Sequence, residues 1–157
     1  MTEPIFDHDR LDVYCLSIAY VAFPYRIAKS LAGINRPPRD RWVRATQSIP
    51  LNIAAGNGKQ SLKDKNRFFE IARGSALKCA SSHDVLAVCD AIDDESNRRG
   101  KSDLKRIVSM LTRLIQRTES VSEGSREYDY EYRDAEYEYE QVPEPRHEPK
   151  SSKAPIC

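Results

Sequence analysis

The chain has 157 residues, 39% of them apolar and 31% charged, enough for one domain with a packed core and too few for two. Its net charge of +1 conceals an asymmetry: residues 1–119 hold 20 Lys and Arg against 14 Asp and Glu, whereas residues 120–157 hold 5 against 10. A basic body of +6 therefore carries an acidic tail of −5, a pattern that points to a polyanionic partner or to self-masking. No apolar run approaches the ~18–20 residues of a membrane span, and the start, Met1-Thr2-Glu3-Pro4-Ile5-Phe6-Asp7, is acidic where a signal peptide is basic. Cys15, Cys79, Cys89 and Cys157 show neither CxxC nor His-pair spacing, which argues against a zinc site and a disulfide framework. A soluble cytoplasmic protein without metal or cofactor is the expectation.

Helical periodicity dominates residues 8–119. In the first helix, 8–32, one apolar row runs Leu11, Tyr14/Cys15, Ile18, Val21/Ala22, Tyr25 and Ala28, and a second runs Val13, Leu16, Tyr20, Phe23, Ile27 and Leu31. Two rows predict a helix buried on two faces, with the Val13 row turned toward another subunit. Pro24 removes a backbone donor and predicts a kink near Tyr20. Gly33 with Pro37-Pro38 ends this helix. A second helix, 39–55, places Trp42, Thr46, Ile49, Ile53 and Gly56 inward, with Pro50 at a cost of about 3 kcal/mol unless packing uses the kink. Ser61 is the predicted cap of a third helix, whose inward face carries Leu62, Phe69, Ala72, Ala76, Cys79, His83 and Leu86. The last helix, 102–117, is predicted to start at a Ser102 cap and to bury Leu104, Ile107, Leu111 and Ile115. Short connections make these an all-α, antiparallel four-helix bundle.

Beyond residue 119 the composition changes. Glu and Tyr alternate through Glu127-Tyr128-Asp129-Tyr130-Glu131-Tyr132 and again over 136–140, and four prolines follow. With so little aliphatic content the segment 120–157 is expected to be disordered.

Enzymatic chemistry finds little footing. Gly56-Asn57-Gly58-Lys59 lacks the spacing of a phosphate loop, and His83 lies on an apolar helical face, where a hydrogen-bonded core histidine is the plainer reading. A non-enzymatic protein is expected. The basic residues are the sharper signal: residues 36–78 hold ten Lys and Arg against Asp40, Asp64 and Glu70. Arg41, Arg44 and Ser48 share one stripe, and Lys59, Lys63 and Arg67 another. The candidate nucleic-acid contacts are Arg39, Arg41, Arg44, Lys59, Lys63, Lys65, Arg67 and Arg73, a set suited to RNA or DNA phosphates.

The hairpin also carries a resemblance. Ser48-Ile49-Pro50-Leu51-Asn52-Ile53-Ala54-Ala55-Gly56, with Phe68-Phe69-Glu70-Ile71-Ala72-Arg73-Gly74-Ser75-Ala76-Leu77 after it, resembles the four-helix bundle proteins of the 23S rRNA intervening-sequence family, over about residues 11–117. That family is similar to the accessory proteins of diversity-generating retroelements. The resemblance implies a homopentameric barrel that binds RNA or DNA and assists a reverse transcriptase, or a protein associated with rRNA. An oligomeric scaffold whose basic face docks an acidic protein is the alternative. Ala55 and Lys78 stand where the family pattern commonly has acids, which moves the hairpin further toward positive charge.

Overall fold

A computed structural model describes residues 3–140, with side-chain surroundings given through Gly124. Two compact units divide the chain, Met1–Ser122 and Glu123–Cys157. The first holds a 3-10 turn, Asp7–Arg10, and then α1 (Asp12–Ala28), α2 (Arg36–Asn57), α3 (Leu62–Val88) and most of the packed part of α4, which spans Asp94–Glu140. No strand occurs among the described residues.

Successive helices run antiparallel. Across α2 and α3, Ser48 meets Ser75 at 2.9 Å and Thr46 meets Cys79 at 3.4 Å. Across α3 and α4, Lys101 reaches Asp84 at 2.6 Å, Arg73 reaches Thr112 at 3.4 Å, and Thr118 bonds Asn66. The inward residues expected of α2 and α3 are in place, with Trp42, Ile49, Ile53, Ala72, Ala76, Cys79 and Leu86 fully buried against Leu104, Ile107 and Leu111 of α4.

Helix α1 reverses the expectation for its two rows. Val13, Tyr20 and Leu31 are buried and Leu16, Phe23 and Ile27 pack beside them. The row left outward holds Ile18 and Tyr25, 47% and 41% exposed, with Ala22 between them. Volume decides this, because the Val13 row is the bulkier one and fills the space facing Trp42 and His83. The helix passes through Pro24, which is itself buried.

Two helix starts also differ. Pro37 and Pro38 occupy the first turn of α2, where a missing N–H forfeits no intrahelical bond; the reversal before it rests on Gly33, at φ +59°. Helix α4 starts eight residues ahead of Ser102. Asp93 caps it, its Oδ1 accepting from the Ser96 amide at 2.7 Å, so Ser102 lies inside the helix. Gly100 is a helix residue beneath the imidazole of His83. A Cβ there would stand 2.1 Å from His83 Cε1, so only glycine lets α3 and α4 approach this closely.

Of the segment expected to be disordered, 120–157, the described part is the C-terminal stretch of α4 as far as Glu140. No Gly or Pro falls between residues 125 and 140, and Glu, Arg and Ala are good helix formers. Residues 141–157, with the four prolines, lie outside the described residues.

Candidate nucleic-acid interface

Helices α2 and α3 pack tightly at their turn and open toward the other end. At the turn Gly56 admits Phe68 and Phe69, which a Cβ would meet at 3.0 Å. Farther along, the side chains lining the contact are small: Ala45, Ser48, Ser75, Ser81 and Ser82. They leave a groove of about 480 Å³ rimmed by Arg41, Arg44 and Lys78. All three cations are exposed, and none forms an ion pair among the described residues.

The floor of this groove is internally satisfied. Ser75 Oγ donates to the Ile71 carbonyl at 2.9 Å, so the hydrogen shared with Ser48 at 2.9 Å comes from Ser48. Asn52 Nδ2 in turn donates to Ser48 Oγ at 3.0 Å. Ser82 is tied to the Lys78 carbonyl at 2.9 Å. The groove thus presents a hydrogen-bonded hydroxyl floor beneath three exposed cations without ion pairs among the described residues, chemistry suited to an anion.

Of the eight residues expected to bind, Arg41 and Arg44 meet in this groove. Lys63 and Arg67 are exposed on the outer face of α3, and Lys78 stands eleven residues, about three turns, beyond Arg67 on the same face. Lys59 lies over the Phe68 ring, 5.0 Å from its centroid. The other three are placed elsewhere. Arg39 binds Asp40 at 2.8 Å and donates to the Leu31 carbonyl at 2.9 Å, pinning the α1–α2 connection. Arg73 clasps Glu70 at 2.7 and 3.0 Å and turns toward Thr112 of α4. Lys65 is half-buried beside Leu114 and Arg117. Membership of one basic stretch, 36–78, placed them together in the sequence, but a helix spreads consecutive cations around its axis.

Lys78, one of the ten basic residues of 36–78 but not among the eight expected contacts, belongs to the groove. Also missed was a row on α4, Arg99, Arg106, Arg113 and Arg117, spaced 7, 7 and 4 residues apart, which puts all four on one helical face. That spacing was the available signal.

His83 takes the place of a core histidine. Trp42 Nε1 donates to the Tyr20 hydroxyl at 3.2 Å, and Tyr20 lies 2.8 Å from His83 Nε2. Phe23 stacks on the imidazole at 5.5 Å and Trp42 meets it edge-on at 4.9 Å. Burial lowers the imidazole pKa from 6.5 to about 4, pushes the Cys79 thiol up to about 11 and raises the Tyr20 phenol as well. Among the described residues no group of His, Cys, Asp and Glu is arranged to hold a metal, and no helix is long and apolar enough to cross a membrane.

Comparison with known proteins adds the following. The family model described as 23S rRNA-intervening sequence protein matches residues 9–113, a stretch that contains the whole α2–α3 hairpin. The chain is also similar to a crystal structure of a protein of unknown function from the S23 ribosomal protein family of Bacteroides thetaiotaomicron. The two share 20% identity, the match covers 66% of this chain and 97% of that one, and the TM-score is 0.61. At that identity the likeness establishes the bundle fold. No curated protein matches the chain.

Proposed function

The chain belongs to the 23S rRNA-intervening sequence protein family, and from this we propose that it is a non-enzymatic accessory protein that binds RNA or DNA through the α2–α3 groove. The observation that carries the reading is the convergence of Arg41, Arg44 and Lys78, uncompensated, over one hydroxyl-lined floor. Each phosphate neutralised there releases condensed counterions, giving affinity that is salt-dependent and largely indifferent to sequence. The family's name supports an rRNA-associated role, and the resemblance to retroelement accessory proteins supports assistance to a reverse transcriptase. A reverse transcriptase gene beside this one favours the second role, and a position inside an rRNA gene the first.

We further propose that the chain works as a homo-oligomer, a pentamer by the same resemblance. Support comes from the outward face of α1, where Ile18, Ala22 and Tyr25 leave an apolar strip uncovered.

The groove is tested by replacing Arg41, Arg44 and Lys78 with Gln and following fluorescence anisotropy of labelled RNA and DNA from low to high salt. Three lost phosphate contacts lower the slope of log K against log salt by about 2 to 3, with the helical circular dichroism unchanged. Affinity that survives the triple change at every salt concentration overturns the reading. Loss of binding to an acidic protein, with nucleic-acid affinity intact, favours the scaffold instead.

A further inference from the structure

Across the bundle from the α2–α3 groove, α1 and α4 enclose a larger one of about 760 Å³, within the ~300–1,000 Å³ range of ligand sites. Three arginines stand at its rim, Arg10 just before α1 and Arg113 and Arg117 one turn apart on α4. All three are exposed, and none is ion-paired among the described residues. Asp12 is the one acid lining it.

The floor differs from that of the first groove. Serines line the α2–α3 groove, whereas Leu11, Val13, Met110 and Leu114 line this one. A bare phosphate has no use for such a floor. An unpaired nucleotide does: its base lies on apolar surface or stacks on a guanidinium plane, while its phosphate takes a forked arginine contact. Duplex nucleic acid keeps its bases stacked inside and offers this floor nothing. The charge also continues in a line, because Arg113 and Arg117 extend the row begun by Arg99 and Arg106 over ~27 Å of helix, a length suited to several nucleotides of an extended strand.

We infer that the α1–α4 groove is a second nucleic-acid site, selective for single-stranded segments, with Arg10, Arg113 and Arg117 as its phosphate contacts. The ligand class rests on the reading of the α2–α3 groove, but the site does not share a residue with it. Each chain then holds two segments on opposite sides of one bundle, a paired or unpaired one on α2–α3 and an unpaired one on α1–α4.

The experiment counts sites per chain in the full-length protein. An oligothymidylate of about six nucleotides, within the site size of a single groove, is titrated at low salt by calorimetry, beside a short blunt-ended duplex. The wild type is expected to bind two oligothymidylates per chain and one duplex. R113Q/R117Q keeps one oligothymidylate and its duplex binding, and on a longer single strand its salt slope falls by about 1.4. R41Q/R44Q/K78Q keeps one oligothymidylate and loses the duplex. One oligothymidylate per wild-type chain, abolished by R41Q/R44Q/K78Q alone, overturns the second site and leaves the first reading standing. No binding of either probe overturns both. Two duplexes per wild-type chain overturn the single-strand selectivity. Capture of an acidic tyrosine-containing peptide that R113Q/R117Q abolishes, with oligothymidylate stoichiometry still at two, makes the groove a protein-docking site and overturns the inference.

Discussion

Trp42 fixes the proton order around His83, because an indole N–H can only donate. The Tyr20 hydroxyl accepts it and sends its own hydrogen to His83 Nε2, so the ring's remaining hydrogen sits on Nδ1, which has no partner among the described residues. Burial is the main force holding the imidazole neutral, with its pKa near 4 rather than 6.5; Asp84 pulls the other way and Lys101 adds to the lowering. The unfolded chain takes up a proton below about pH 6.5 while the folded one does not, so stability falls as pH drops toward 4 and levels off beneath it. Denaturant unfolding between pH 7 and pH 4 should lose up to about 3 kcal/mol, and His83→Gln should flatten that limb while lowering stability at pH 7. Asp9 and Asp93, whose carboxyls are held below the ordinary value chiefly by backbone amide bonds, contribute at lower pH still. The burial of His83 was legible from its spacing with Cys79 and Leu86. The reason for Gly100 was not, because it lies on another helix.

Among the elements, the interiors of α2 and α3 were legible because large apolar residues recur there at one period. Starts were less so. A helix start is a local competition among acceptors, and Asp93 outcompetes Ser102 because a carboxylate both caps the amide and favours the helix dipole. Asp93→Ala should therefore lower the thermal midpoint, whereas Ser102→Ala should leave it nearly unchanged; calorimetry on both separates the two starts. In α1 the periodicity revealed two apolar rows but not which one faces inward, since that depends on the cavity left by α2 and α3. Two of the groove's three cations were legible for a similar reason. Arg41 and Arg44 share a stripe that any helical wheel shows, while the contacts of Arg39 with the Leu31 carbonyl and of Arg73 with Thr112, which turn those two side chains away, depend on neighbours brought by folding.

For the whole molecule, the opposed charges of residues 1–119 and 120–157, +6 and −5, nearly cancel at long range. A chain ending after Ser120 should bind nucleic acid more tightly than the full chain at low salt, with the gain shrinking as salt shortens the screening length. Equal anisotropy titrations for the two chains would remove any restraining role of the acidic segment. Assembly is a separate matter: light scattering should give about 90 kDa, five chains of 17.9 kDa, and Ile18→Glu should shift the mass toward one chain by placing a charge on the apolar strip. A wild-type mass of 17.9 kDa at micromolar concentration rejects the oligomer.

The chain has a single tryptophan, and its position makes it an optical reporter. Trp42 is fully buried, its ring centroid 4.9 Å from that of His83, and it directly follows Arg41 of the groove. Its emission therefore comes from one environment, free of averaging over other indoles. Unfolding will shift that emission toward the red as water reaches the ring. Protonation of His83 will quench it without such a shift, because a cationic imidazole accepts an excited electron more readily than a neutral one. Two events that coincide in a stability curve thus separate by wavelength, with no label added.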